Sequence, residues 1–428
     1  MKKMKSILLK HNKQGRETET VIMPNPSELI IPISQHIGAP LNELVSVGDR
    51  LEKGQVIASS PAPVSAPFHA PLSGVVKEIY DFVMPNGTRT RAIRILTEEG
   101  EEPAYEKPLI ETKEQFLSFV KEIGAVGLGG AAFPTHIKLN PPVEVDTLIV
   151  NAAECEPFLT SDERGIIEDP DSIIRGISAI LKFTDVKRAF IAVENNKPEA
   201  ISILKEKVKN EENIFVKVLK PTYPQGAEKV IIYNVAGRIV PEGKLPMDAG
   251  VIVINVSTAG LIGASLVSGA PLTHKRITIA GDSIKTPVNV LVPVGTKIRD
   301  IVEFLGGYVK EPRKILLGGP MMGTAVYTDE FPVLKNTNGI LFLSEDEVLL
   351  PEETACIRCG KCVDGCPLNL SPVALYNAFL ERDFETLEKE HIMLCMECGS
   401  CAYVCPAARP LTQSHRLSKA EIRRRGKK

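Results

Sequence analysis

The spacing of apolar and polar positions changes character several times along the chain, and each change predicts a domain. From residue 27 to 104, short apolar runs such as 28–33 and 54–58 alternate with Gly and Pro punctuation, the pattern of a β-rich domain. Across 105–272, strand-length apolar runs at 147–151 and 189–193 alternate with stretches of helical spacing at 113–123 and 197–210, the latter with Pro198 near its start. That alternation predicts α/β architecture around a mostly parallel sheet. Residues 249–272, free of charge, predict a buried strand, a glycine-rich turn and a helix. Within 273–343, the stretch 275–307 reads strand, turn, strand, helix, and Gly318-Gly-Pro-Met-Met-Gly323 marks a tight loop. The region 344–413 is cysteine-rich and helical, with Ser371 as an N-cap, Pro372 in the first turn, and Val373, Tyr376, Phe379, Leu380 and Leu387 as an apolar stripe. Residues 1–26 read as a polar N-terminal extension and 414–428 as a basic tail. The predicted fold class is therefore multidomain α/β.

Composition narrows the function. The 428 residues are 43% hydrophobic, ample for several cores, and a formal net charge of -2 gives no global bias toward nucleic acid. The apolar run Ile7–Leu9 is too short for a signal-peptide core, and 249–272 is too polar and Gly-rich for a membrane span. A water-soluble protein on the cytoplasmic side is expected. Residues 47–57, followed by 70–76, resemble the lipoyl or biotinyl carrier fold, a barrel-sandwich. Carriers present a modified lysine at a hairpin tip, and here that region reads Phe68-His-Ala-Pro-Leu72, so a structural role is expected. The 275–307 module resembles the small β-grasp domain called SLBB.

Eight of the nine cysteines lie between Cys356 and Cys405, in two runs of C-x2-C-x2-C-x3-C-P. Clustering of this kind in a long chain argues for metal rather than disulfides. Three closely spaced thiolates wrap three irons of a cubane, and the fourth cysteine, too far along to join them, ligates the other cluster. One [4Fe–4S] cluster is thus expected on Cys356, Cys359, Cys362 and Cys405, and a second on Cys395, Cys398, Cys401 and Cys366. Zinc also takes C-x2-C pairs, but a duplicated four-cysteine run ending in Pro is not its usual spacing. The ninth cysteine, Cys155, sits between two glutamates with nothing basic beside it, and reads as a small buried residue.

A second informative stretch is Gly124-Ala-Val-Gly127-Leu-Gly129-Gly130-Ala-Ala-Phe133-Pro-Thr-His-Ile-Lys138. Glycines let a loop approach a phosphate with its N–H groups exposed, and Lys138 adds charge. The loop follows a helix rather than a strand, so it is not the dinucleotide fingerprint. Further on, the strand 147–151 ends in Asn151-Ala-Ala-Glu154-Cys-Glu156-Pro157. Polar groups at the carboxyl ends of strands in such sheets face a ligand crevice.

The glycine loop resembles the flavin site of the NADH-oxidising subunit of respiratory complex I, GRGGAGFPTGxKW, and 151–157 resembles that family's NADESEP. Other landmarks are Ser34-Gln-His-Ile-Gly-Ala-Pro40, Tyr223-Pro-Gln-Gly-Ala-Glu228-Lys229, Gly318–Gly323 and the two cysteine runs. Taken in order, they make the chain from about residue 28 resemble the RnfC family. Its members are peripheral components of the Rnf complex, a ferredoxin:NAD oxidoreductase of membranes that pumps Na+ or H+. The resemblance implies an iron–sulfur flavoprotein enzyme subunit with FMN held non-covalently by Gly127, Gly129, Gly130, Lys138 and Asn151. By the same resemblance Phe133, Glu154, Glu156 and Glu228 border NAD(H), and Asn255 and Thr258 line the flavin. Flavin between a two-electron and a one-electron carrier interconverts the two modes, and no acid–base residue is required. The implied partners are integral membrane subunits and a ferredoxin-accepting subunit, and the implied location is peripheral, on the cytoplasmic face of the membrane. Departures are Ala153 where complex I has an acid, Gln225-Gly-Ala-Glu228 where it has CGEE, and the absence of the usual GGIHP, for which His11-Asn-Lys13 is the nearest counterpart. These leave room for a soluble relative that feeds a cytosolic reductase such as an amino-acid reductase, and for an adaptor that uses its clusters alone.

Overall fold

A computed structural model describes residues 4–348 and 351–426. The β-rich domain is built of two small antiparallel sheets. One runs in the order 28–32, 89–97, 74–83, 50–51; the other joins 42–43, 56–59 and 68–69. Leu29, Ile31, Ile57, Phe68, Ile93 and Ile95 fill the space between them. The stretch read as a carrier's tip is not one: Phe68, His69, Ala70 and Leu72 are all buried.

The α/β domain carries four parallel strands, in the order Ile214–Leu219, Arg188–Glu194, Thr147–Ala152, Val251–Asn255. Chain order therefore runs outward from 147–152 in one direction and then returns to its other side. The carboxyl ends of 147–152 and 251–255 flank the point where strand order reverses, the usual position of a ligand crevice in such sheets. The strand 251–255 passes directly into helix Val256–Ser268 with Asn255 as N-cap. The glycine-rich turn expected here does not exist; Gly260 and Gly263 lie inside the helix. The reason at Gly263 is packing: a Cβ there would strike the Ser172 carbonyl, and one on Gly176 the Ala259 carbonyl, so helices Pro170–Phe183 and Val256–Ser268 cross nearly backbone to backbone.

In the β-grasp region, His274–Ala280 and Val288–Pro293 pair antiparallel, Ile298–Phe304 is helical, and 314–317, 324–326 and 339–343 join them in a sheet whose sixth strand is Val21–Ile22. The cysteine-rich region holds helices Pro372–Leu380 and Phe384–Lys389. The stripe read there is only partly right. Leu375, Tyr376, Ala378 and Leu387 are buried, whereas Leu380 is exposed, because the helix ends at Glu381 and the second starts on a new axis capped by Asp383.

Both polar termini are built into the fold. Lys5 donates to the Val363 carbonyl, Ile7 exchanges two backbone hydrogen bonds with Tyr223, and Val21–Ile22 adds a strand beside Val290–Leu291. The segment read as an extension thus crosses three domains. The basic tail up to Arg425 is the end of helix Leu411–Arg425, whose Ser414, His415, Ser418 and Lys419 are buried; Lys427 and Lys428 lie outside the described residues. Among the described residues, no helix is long and apolar enough to cross a membrane.

Candidate functional site

The crevice at the strand-order reversal collects most of the residues singled out in the sequence. Asn151 and Asn255 are direct partners across the two strands. The glycine loop lies against them: the Leu128 N–H donates to Thr258 Oγ1 at 3.1 Å, and a Cβ on Gly129 would fall 2.6 Å from Asn255 Cγ. Gly130 faces open space. The backbone of Gly127 is closed onto Phe133, whose carbonyl accepts its N–H at 3.0 Å. Lys138 reaches in from the helix that follows, donating to the Val253 carbonyl at 2.9 Å and pairing with Glu228 at 3.1 Å. Asn151 Nδ2 donates to the Gly226 carbonyl at 2.8 Å, which ties the 223–228 turn to the same edge.

Glu154 and Glu156 stand at the same strand end but spend their carboxylates on the protein. Glu154, at a φ of 47°, accepts from the Asp162 N–H at 2.8 Å and the Glu163 N–H at 3.3 Å, at the start of helix Ser161–Glu168. Burial raises its carboxyl to about 7 despite Lys13 nearby. Glu156 accepts from the Met321 N–H at 3.0 Å, and burial raises its carboxyl too. They brace the 153–159 loop. The Lys13 ammonium braces it from below, donating to the carbonyls of Glu154, Glu156 and Leu159. Cys155 accepts from the Gly226 N–H at 3.2 Å, and burial pushes its thiol up to about 12, which suits an inert packing residue.

Several contributors carried no local signal. Asp162 is buried beneath the crevice, where it accepts from Asn255 Nδ2 at 2.8 Å and Ser257 Oγ at 2.6 Å. The β-grasp region holds the glycine loop from behind: Lys275 donates to the Leu128 carbonyl, Lys335 to that of Gly124, and Asn336 to that of Gly130. Ile37, from the Ser34–Pro40 run of the β-rich domain, donates to the Ala132 carbonyl. Only the Ser34–Pro40 run drew notice in the sequence; the lysines and Asn336 lie about 150 to 210 residues from the loop they hold, beyond any periodicity.

Each cysteine run closes on the last cysteine of the other. Cys366, Cys395, Cys398 and Cys401 line one cavity, walled by Pro367, Leu370, Pro372 and Thr412. Cys356, Cys359, Cys362 and Cys405 line a second, walled by Ile357, Val373, Pro406 and Ala407. Four thiols around each apolar void, from two runs of cubane spacing, suit a [4Fe–4S] cluster better than zinc. Burial raises Cys395 to about 11 and Cys401 to about 12, and a metal that takes such thiols as ligands displaces their protons. Lys419 donates to the Cys395 carbonyl and pairs with Glu397, both at 2.6 Å, and His415 Nδ1 lies 3.6 Å from Cys395 Sγ. The supposed tail therefore forms a wall of this site.

Comparison with known proteins agrees with this layout. The Nuo51 FMN-binding domain family matches residues 120–264, the RnfC barrel sandwich hybrid domain 3–100, the SLBB domain 276–325 and the 4Fe-4S dicluster domain 349–406. The chain is 41% identical over 419 residues to the C subunit of the proton-translocating ferredoxin:NAD(+) oxidoreductase complex of Clostridium ljungdahlii, covering 95% of this chain and 91% of that one. The chain belongs to the RnfC family. A second member, the C subunit of the Na(+)-translocating complex of Acetobacterium woodii, is 38% identical, with 94% of this chain and 93% of that one covered. In fold, part of this RnfC-family chain also superposes on a chain of an air-oxidized NAD+-reducing [NiFe]-hydrogenase, with a TM-score of 0.51, 18% identity, 67% of this chain and 57% of the other. The RnfC-family chain is thus an electron-transfer subunit of a multi-subunit ferredoxin:NAD oxidoreductase, with FMN and two [4Fe–4S] clusters as its cofactors.

Proposed function

We propose that this subunit exchanges electrons between NAD(H) and its clusters at the crevice between strands 147–152 and 251–255, with FMN held by Gly127, Gly129, Gly130, Lys138, Asn151, Asn255 and Thr258. The observation that carries the assignment is convergence. A glycine loop with open space at Gly130, a lysine, and two paired asparagines meet where strand order reverses. FMN supplies the exchange between hydride and single electrons. The residues supply position. Lys138 brings a cation to the loop, the asparagines offer side-chain amides, and Asp162 fixes Asn255 in one orientation. Phe133 and Glu228 border the space where the nucleotide enters, while Glu154 and Glu156 shape that entrance by holding the 153–159 loop rather than by touching the nucleotide. The two cysteine cavities hold clusters with the crossed ligand sets given above.

The setting we propose is peripheral, on the cytoplasmic face of the membrane, with integral membrane subunits and a ferredoxin-accepting subunit as partners. Lys138→Ala tests the crevice. Its amine sits half-exposed in an ion pair with Glu228, so little stability is at stake, about 1 kcal/mol or less. The variant is expected to keep its iron and its melting temperature while binding FMN more weakly, by about tenfold or more in a fluorescence titration, the equivalent of losing one charge-assisted hydrogen bond. FMN affinity equal to the parent's would place the flavin elsewhere.

A further inference from the structure

The turn from Tyr223 to Ala227 touches the crevice at one end and a cysteine cavity at the other. At Gly226 its carbonyl takes Asn151 Nδ2 and its N–H meets Cys155 Sγ. Three residues earlier, the Tyr223 side chain leaves the α/β domain and donates its hydroxyl to the Cys398 carbonyl at 2.7 Å. The same hydroxyl lies 3.4 Å from Glu156 Oε1, and the other Glu156 oxygen holds the Met321 N–H. Met321 in turn underlies the cysteine loop, since a Cβ on Gly399 would come within 3.0 Å of its carbonyl. Tyr223 is 2% exposed and among the largest fully buried side chains described. Its backbone is fixed as well, by the paired hydrogen bonds with Ile7 at 2.9 Å each. Ile7, Tyr223 and Cys398 form one apolar cluster with Cys155, Met321, Met396 and Val404 against it.

The other cavity is placed differently. Cys359 is exposed there and Ile357 beside it is 69% exposed. Its loop is reached by Lys5, through Val363.

We propose that Tyr223 is a positioning residue that docks the Cys395–Cys401 loop onto the flavin crevice, so that this cysteine site is the one adjoining the crevice and the Cys356–Cys362 site is the outer one. The proposal rests on the reading that the crevice holds FMN. The physical case has two parts. A buried phenol bridging two backbones fixes spacing, because moving the loop would strand a donor and an acceptor away from water. A hydroxyl dipole aimed at the ligand segment of a cluster also favours its more negative, reduced state, as hydrogen bonds around such sites do.

Two variants of the full chain, prepared anaerobically, test this by spectroscopy and potentiometry rather than by turnover. Tyr223→Phe keeps the ring and its packing and removes only the hydroxyl. It is expected to retain FMN and about eight irons, and to lower the midpoint potential of one cluster while leaving the other where it was. Repeating the measurement with Cys359→Ser added identifies the cluster: the shift must persist, because the outer site is the one that was damaged. Tyr223→Leu, which also loses the bridge in space, is expected to alter the EPR line shape of that same cluster. Parent-like potentials and line shapes in both variants would overturn the proposal, as would a shift that disappears with Cys359→Ser. A parent protein that binds clusters but no FMN would instead overturn the underlying reading of the crevice, a result distinct from either.

Discussion

Gly130→Ala separates the flavin site from the fold more cleanly than any other change in the loop. A Cβ there meets nothing within 4 Å, and the residue does not use the left-handed conformation that favours glycine. Its carbonyl stays bonded to Asn336, which no side chain at 130 disturbs. Folding should therefore be unharmed or helped, by about 0.4–1 kcal/mol from the lower entropy of the unfolded chain. The open space is what matters for binding. If a flavin lies against this loop, the methyl group intrudes on it as an overpacked contact does, about 1–3 kcal/mol. At about 1.4 kcal/mol per decade, that predicts FMN binding weakened roughly 5- to 150-fold. Gly129→Ala cannot make the distinction, because its methyl would land on Asn255. That would disturb both the cap of helix Val256–Ser268, worth about 1 kcal/mol, and the hydrogen bond to Asp162. The assay is a fluorescence titration of flavin-free Gly130→Ala protein with FMN, beside urea unfolding of the same sample. A variant as stable as the parent that binds FMN equally well would refute the reasoning.

Two further outcomes are expected. Cys362→Ser and Cys366→Ser, close neighbours in sequence, should each remove the EPR signal of a different cluster, since they line different cavities; loss of the same signal in both would refute crossed ligation. Lys335 is fully buried and desolvation lowers it to about 7 from 10.5. Between those two values the unfolded chain holds its proton and the folded one does not, so this group's contribution to stability rises with pH by up to about 1.4 kcal/mol per unit and is flat below 7. The gap in stability between the parent and Lys335→Met should accordingly move in the parent's favour as pH rises from about 7 to about 9, and parallel pH profiles would contradict the assignment.

What the sequence disclosed was whatever leaves a local mark. Ligand spacing is such a mark, so the two C-x2-C-x2-C-x3-C-P runs point to clusters by themselves. Strand and helix periods are another, and the α/β alternation, the β-grasp module and helix Pro198–Lys207 follow from them. The N-terminal segment left none, because its hydrogen bonds go to other domains: Lys5 to Val363, Ile7 to Tyr223, Val21 to the strand at 290. The C-terminal helix misled for the opposite reason. Its run of basic residues describes the exposed face, while Lys419, counted with them, is buried against Cys395. Composition averages over such a helix; it cannot show that one lysine of the run turns inward. Glu154 and Glu156 looked like ligand groups because they stand at a strand's carboxyl end, and only the folded structure shows both Glu154 oxygens taken by backbone N–H groups and those of Glu156 shared between the Met321 N–H and the Tyr223 hydroxyl.

The way the glycine loop is held also accounts for its chemistry. The carbonyls of Gly124, Val126, Leu128, Gly130 and Ala132, every second residue, are tied by Lys335, Thr258, Lys275, Asn336 and the Ile37 N–H. In a planar trans peptide the N–H of the next residue points opposite to the carbonyl before it. Anchoring Leu128 and Gly130 by their carbonyls therefore turns the N–H groups of Gly129 and Ala131 to the other face of the loop. Those are the donors that a phosphate or a flavin carbonyl can take. Lysine suits the anchoring side because its long stem carries N–H donors to carbonyls buried behind the loop. The β-grasp region thus aims these two peptide groups, through Lys275 and Asn336, while Thr258 and the β-rich domain's Ile37 fix the carbonyls on either side. This gives a physical reason for a barrel-sandwich and a β-grasp module to be packed against the flavin domain: each adds a donor to a loop that Thr258 and Phe133 hold only in part.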